Sequence, residues 1–159
     1  MIVAVSGGPD SSALMHGAAR LVADGARSWS LTVAHLDHGI REGSRADAAH
    51  VEEAAASLGL TFRSTQVSVR AIARTEGRSI EDAGRRARYR FLEDVAAELG
   101  GEALIATAHT LDDVAETVML RIARGSGLRG LRGIPARRGR VIRPLLGERR
   151  AHLRQLLDD

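Results

Sequence analysis

Two short stretches of the 159-residue chain gather the residue types that handle charge. Ser6-Gly7-Gly8-Pro9-Asp10-Ser11-Ser12 places three hydroxyls, two adjacent glycines and one carboxylate in seven positions. His109-Thr110-Leu111-Asp112-Asp113-Val114-Ala115-Glu116 sets three acids behind a histidine. The first stretch suits an anion, because glycines let backbone N–H groups approach without a Cβ and serines add hydroxyl donors. Asp10 is foreign to a bare phosphate site: a carboxylate repels the ligand unless a divalent cation bridges the two. The second stretch suits a cation, either magnesium or the ammonium group of a substrate. Asp113 and Glu116 stand three apart and share a helix face. Plainer readings exist for both: Asp10 as a helix cap, and the acids as residues the helix dipole favours in a first turn.

The elements around these stretches give them a geometry. Ile2–Val5, apolar and partly β-branched, reads as a buried strand, and Leu14, Ala18, Leu21 and Val22 mark a helix from Ser11. Strand, glycine turn and helix N-terminus together bind phosphate. No Gly-Lys-Ser/Thr follows the glycines, and the chain has no lysine, which excludes a Walker loop. The three spaced glycines of the dinucleotide pattern are also missing. Ser6, Gly7, Gly8, Asp10 and Ser11 instead resemble the pyrophosphate-loop signature of the N-type ATP pyrophosphatases. That resemblance implies cleavage of ATP between its α and β phosphates, adenylation of a substrate and release of pyrophosphate.

Strand and helix signals alternate along the rest of the chain. Trp29–His35 reads as a second strand, Thr61–Val69 as a third and Ala103–Ala108 as a fourth. Val141–Leu146 is a fifth strand or an extended exit. Between them, a helix capped by Ser44 or Asp47 buries Val51, Ala55 and Leu58, and a short helix over 70–77 closes at Gly77. A helix started by Ser79 sets Ala83, Ala87, Phe91, Val95 and Leu99 on one face. Another, from the second charged stretch, buries Val114, Val118 and Ile122. Such alternation predicts an α/β fold with a doubly wound, mostly parallel, five-stranded sheet. Ligands bind such sheets beyond the strand C-termini, where strand order reverses. Both charged stretches follow strands. If the first and fourth strands are neighbours at the reversal, the two face one crevice.

Composition narrows the class further. There is no cysteine, which removes disulfides, cysteine zinc sites and thiol or persulfide chemistry from these residues. No run of 18 apolar residues and no secretory leader pattern is visible, so the expected location is cytoplasmic. Residues 1–119 hold 12 arginines against 17 acids, whereas residues 120–159 hold 11 against 3. The basic part, with Arg124, Arg129, Arg132, Arg137 and Arg138 among glycines, suits a phosphate backbone; a plain solvated surface is the alternative. His35-Leu36-Asp37-His38-Gly39-Ile40-Arg41 could suit zinc or iron, but Val33 stands where a further histidine is needed. It reads instead as a loop over a ligand, with Arg41 available for phosphate or ribose, or with His35 in a core hydrogen bond. Arg85 and Arg88 can point together at an anion.

The ordered set of motifs is similar to the catalytic domain of the bacterial tRNA(Ile)-lysidine synthetase family. It comprises the first stretch, His35–Arg41, Ala87-Arg88-Tyr89, His109–Thr117, Arg124-Gly125-Ser126-Gly127-Leu128 and Arg143-Pro144-Leu145-Leu146. The resemblance implies a ligase of two steps: ATP adenylates O2 of a wobble cytidine in tRNA(Ile), then free L-lysine displaces AMP at C2. ATP and Mg2+ are the implied cofactors, and tRNA(Ile) and lysine the partners; a homodimer is compatible with the sequence. On this reading ATP meets Ser6, Gly7, Gly8, Pro9, Asp10, Ser11, Ser12, His35 and His109. Metal falls to Asp10 and Asp113, substrate lysine to Asp113 and Glu116, and catalysis to Asp10, Asp113, Glu116, Arg88 and Arg143. Arg41, Arg124, Arg129, Arg132, Arg137 and Arg138 are assigned to tRNA. Val114 departs from the family, which usually has Gln there. The catalytic domain is expected over 1–147, with 148–159 beginning a helix toward a missing tRNA-binding region. The alternatives are another adenylating amidotransferase or ATPase of the same loop, and a nucleotide-binding sensor without catalysis.

Overall fold

A computed structural model describes residues 1–39, 44–125 and 132–158. The first half of the chain runs β1 (Ile2–Ala4), α1 (Pro9–Ala23), β2 (Thr32–Asp37), α2 (Ser44–Ser57), β3 (Thr61–Gln66) and α3 (Val69–Glu76). The second half runs α4 (Ile80–Glu98), β4 (Ile105–Ala106), α5 (Leu111–Ala123), β5 (Arg137–Arg138), β6 (Val141–Ile142) and α6 (Arg150–Asp158). The sheet order is β3-β2-β1-β4-β6-β5. All neighbours are parallel except β5 and β6. The five expected parallel strands are therefore joined by a sixth, antiparallel edge strand in the arginine-rich region. Leaving β1, the chain first fills one side of the sheet, then crosses back to place β4 against β1's other edge. That is the reversal point.

The side-chain alternation of a strand sorts the core into two layers. Val3 and Val5 pack with Leu14, Met15 and Ala18 of α1 and Val51 and Ala55 of α2 on one face. Ile2 packs with Leu92, Val95 and Ala96 of α4 on the other, together with Ile105 and Val141. Burial of a side chain such as Leu92, 1% exposed, contributes about 1.5–3 kcal/mol. Helices on both faces confirm the doubly wound class.

Several boundaries differ from those read in the sequence. The second strand begins at Thr32 rather than Trp29, which is 37% exposed, and runs on to Asp37. The third ends at Gln66, because Ser68 caps α3 by accepting from the Ala71 N–H. α1 starts at Pro9, whose fixed φ suits a first helical position. Gly77 ends α3 at φ +63° and Ser79 caps α4, both as expected. Faces are less faithful to the pattern: Leu21, Leu99 and Ile122 are 44%, 47% and 57% exposed. Among the described residues no helix is long and apolar enough to cross a membrane.

Candidate functional site

Beyond the C-terminal ends of β1 and β4 lies a cavity of about 320 Å³. Its walls include Ser6, Gly8, Pro9, Asp10 and Ser11 from the first charged stretch, and Thr107, His109 and Asp113 from the second. Leu36 and His38 come from β2 and its exit, and Arg88, Tyr89 and Leu92 from α4. The two stretches therefore share one crevice, which the adjacency of β1 and β4 brings about.

The glycine turn is held by its own serines. Gly7 takes φ +85°, a left-handed conformation that a side chain would strain. The Ser11 hydroxyl donates to Gly8 O at 2.9 Å and accepts from the Ser6 N–H at 3.1 Å. The Ser12 hydroxyl donates to the same carbonyl at 3.2 Å. Both hydroxyls, expected as phosphate donors, bond Gly8 O within the turn. Gly8 is the N-cap of α1 and has no side-chain cap. Pro9 has no N–H and the Ser12 N–H bonds Gly8 O at 3.0 Å, so the first-turn donors of α1 left without a cap are the N–H groups of Asp10 and Ser11, both cavity-lining residues, with the helix dipole behind them. Ser6, exposed, keeps its hydroxyl at the rim.

Asp10 is not a cap. Its Oδ1 is buried with no partner, while Oδ2 lies 3.3 Å from Arg150 Nε. A buried carboxylate oxygen without a donor is suited to a hard divalent cation. Among the described residues, no group of three or more His, Cys and acidic side chains forms a closed metal cage. A cation at Asp10 would therefore complete its shell from a ligand and water, as magnesium commonly does.

The acids of α5 are engaged with protein groups. Asp113 Oδ2 accepts from the Thr110 N–H at 2.7 Å and from its hydroxyl at 3.0 Å, closing a capping box. Burial pushes the Asp113 carboxyl up, but the Thr110 and Arg150 bonds outweigh it and hold it below the ordinary 3.8. The Arg150 guanidinium also bonds Asp113 Oδ1 and, at 2.9 Å, Glu116 Oε1. Asp112 Oδ2 caps α6 by accepting from the Arg150 N–H at 2.9 Å. Arg150 therefore joins Asp10, Asp113 and Glu116, tying the loop of α1 to the start of α5. No sequence signal marks this role: Arg150 falls in the stretch 148–159, which reads only as the beginning of a helix.

The two histidines of the cavity present defined faces. The Thr107 hydroxyl lies 3.0 Å from His109 Nδ1 and 3.4 Å from Ile142 O, so Nε2 is the ring nitrogen left for a ligand. Burial, then Arg143, lowers its pKa from 6.5, so the ring is neutral at pH 7. His38 meets Arg88 Nη2 at 3.2 Å.

His35, expected at ATP, is 3% exposed and bonded through Nδ1 to Val5 O at 2.8 Å; it pins β2 to the turn and is absent from the cavity wall. Arg143 is buried, with Nη1 on Pro135 O at 2.7 Å, and also lies off the wall. Glu116 is at the exposed end of the Arg150 cluster. Gly7 and Ser12 back the turn without lining the cavity. Arg124, Arg132, Arg137 and Arg138 are exposed, the last two on edge strand β5. Arg41 and Arg129 lie outside the described residues.

Residues 1–159 match the family described as the PP-loop domain. The tRNA(Ile)-lysidine synthase of Dehalococcoides mccartyi is 47% identical over 156 residues, covering 92% of this chain and 32% of that protein. The enzyme of the same name from Thermus thermophilus is 45% identical over 157 residues, covering 99% and 29%. The chain thus spans about a third of the length of the curated relatives it matches. Among solved structures, the U34-tRNA thiolase NcsA of Methanococcus maripaludis superposes with a TM-score of 0.74 at 18% identity, covering 99% of this chain and 55% of that one. An NH3-dependent NAD synthetase of Campylobacter jejuni gives 0.62 at 16%, covering 99% and 63%. These two likenesses show the fold.

Proposed function

The chain belongs to the PP-loop domain family, and on that premise we propose that it is the ATP-cleaving part of a tRNA-modifying ligase that joins lysine to a tRNA(Ile) cytidine. One observation carries the reading: β1 and β4 are neighbours at the reversal, so the glycine turn and the His109–Asp113 junction line the same cavity. The curated relatives' shared name supplies the substrate class.

In this reading cytidine O2 attacks the α-phosphorus of ATP and pyrophosphate leaves. The ε-amine of lysine then attacks C2, the C2–O2 bond breaks, AMP departs and the amine's proton passes to solvent. The turn's N–H groups meet the charge that develops on the leaving pyrophosphate, a donor array already in place before reaction. Arg88 in the cavity wall adds positive charge to the phosphate chain. A magnesium ion held by Asp10 Oδ1 would neutralise phosphate charge and favour departure of the pyrophosphate. His109 Nε2 hydrogen-bonds a nucleotide hydroxyl or amino group. Asp113 and Glu116 receive the amine substrate in exchange for Arg150, so charge in the pocket stays balanced. The arginines of β5 and of the segment before it contact the tRNA backbone.

The test uses the full-length protein with ATP labelled in the α-phosphate. AMP should appear only when both tRNA(Ile) and lysine are present, whereas tRNA(Ile) without lysine should release no more than one equivalent of pyrophosphate and leave the label on the tRNA. ADP with orthophosphate, or turnover indifferent to tRNA, would contradict the proposal. Turnover driven by ammonia in place of lysine would favour an amidotransferase.

A further inference from the structure

We infer that His38 is the positioning residue for Arg88: it holds the guanidinium in the cavity wall by accepting a hydrogen bond on Nε2. The inference rests on the proposed function only in taking Arg88 to face the phosphates of ATP.

The chemistry of the pair fixes its direction. A guanidinium has donors and no acceptor, so the 3.2 Å contact between Arg88 Nη2 and His38 Nε2 requires a lone pair on Nε2. The imidazole is then neutral with its proton on Nδ1. That atom is buried with no partner. It faces Gly84 of α4, where an added Cβ would sit 3.4 Å from Nδ1 and 3.5 Å from Cε1. Gly84 is buried in the second turn of α4, and the His38 ring packs beside it at ordinary van der Waals distance.

The backbone of His38 is fixed on both sides. Asp37 accepts from the Gly39 N–H and from Gln66 Nε2, each at 2.8 Å. His38 O accepts from the Val69 N–H at 3.2 Å. Gly39 sits at φ +60°, and a Cβ there would come within 2.9 Å of Val67 O. A rigid acceptor thus restrains a long, flexible side chain that would otherwise sample many rotamers.

The charged groups around His38 act together. Arg88 faces it from α4, and Asp37 and His35 act on it from β2. Burial first, then Arg88, lowers the His38 pKa from 6.5 against the opposing pull of Asp37. Protonation removes the acceptor and sets a second cation beside the guanidinium, so acidification releases Arg88 from the wall.

The test measures Mg·ATP affinity of the 159-residue chain by titration calorimetry for wild type, His38→Ala, His38→Asn, His38→Gln and Arg88→Met. A glutamine Oε1 reaches the place of Nε2, whereas an asparagine oxygen stops at that of Nδ1. Arg88→Met, His38→Ala and His38→Asn should each weaken binding about tenfold, roughly the loss of one hydrogen bond to a charged group. His38→Gln should stay within about twofold of wild type and should flatten the loss of affinity below pH 6.5. His38→Ala should add nothing in the Arg88→Met background. Equal behaviour of Asn and Gln, or full affinity in His38→Ala beside an impaired Arg88→Met, would overturn the inference. Full affinity in Arg88→Met would instead overturn the phosphate role of Arg88. Imidazole nitrogen NMR of the wild type decides the pair without ATP: a proton on His38 Nε2 sinks it.

Discussion

Replacing Asp113 separates its structural duty from its charge. Its Oδ2 caps the N–H of Thr110, a residue 0% exposed, and its Oδ1 pairs with Arg150. Alanine removes the cap and leaves a buried N–H without an acceptor, at a cost of about 1–2 kcal/mol. The lost Arg150 pair adds a few tenths, since that guanidinium is 34% exposed and partly screened. For a domain of this size about 2 kcal/mol lowers Tm by roughly 4–8 °C. Asparagine keeps an oxygen in the capping position and should cost less than about 1 kcal/mol. Both variants discard the charge, so both should lose affinity for the amine substrate equally. Thermal unfolding followed by calorimetry with L-lysine reads the two effects on one sample. Asparagine destabilised as much as alanine would refute the capping argument, and asparagine binding lysine like wild type would refute the electrostatic one.

Three further outcomes follow from the same geometry. His38 and His109 have lowered pKa values, so their stabilising contribution is complete above pH 6.5 and is lost as pH falls through the folded values; Asp113 adds a second loss below about 3.8. Denaturant unfolding across pH 3 to 8 should show that two-part decline, with the first part reduced in His109→Gln. Ser11→Ala removes the oxygen that joins the Ser6 N–H to Gly8 O and should cost about 1–2 kcal/mol while weakening ATP binding; unchanged stability would mean water replaces it. Gly7→Ala meets no atom closer than 3.7 Å, so its cost should be that of the left-handed backbone alone, about 1–2 kcal/mol. A much larger loss on unfolding would point to a clash the geometry excludes.

What the sequence revealed depended on how local the physics was. The glycine turn and the cap at Ser79 involve residues within a few positions, and their chemistry shows in the linear order; the caps at Ser68 and Thr110 are as local but go unread, Ser68 because it falls inside the stretch that reads as the third strand. Partnership of β1 with β4 was legible only through the rule that places ligands at the reversal of an α/β sheet. Periodicity says which residues share a helix face, not whether anything covers it. Hence Ile122 and Leu21 looked like core and are half exposed. The roles of His38 and Arg150 were hidden because their partners lie 50 and 34 to 140 residues away. His35 stood in the same cluster of polar residues as His38, and no pattern distinguished a buried strand histidine from one at the strand's exit.

The central claim is that the turn after β1 grips the phosphate chain of ATP while the β4–α5 junction closes the same pocket. A crystal structure of the chain with Mg2+ and an ATP analogue resistant to cleavage between the α and β phosphates addresses it most directly. The β and γ phosphates should lie on the first-turn N–H groups of α1, with the metal on Asp10 and Arg88 alongside. Phosphates bound instead along the arginines of β5, with the turn empty, would contradict the account.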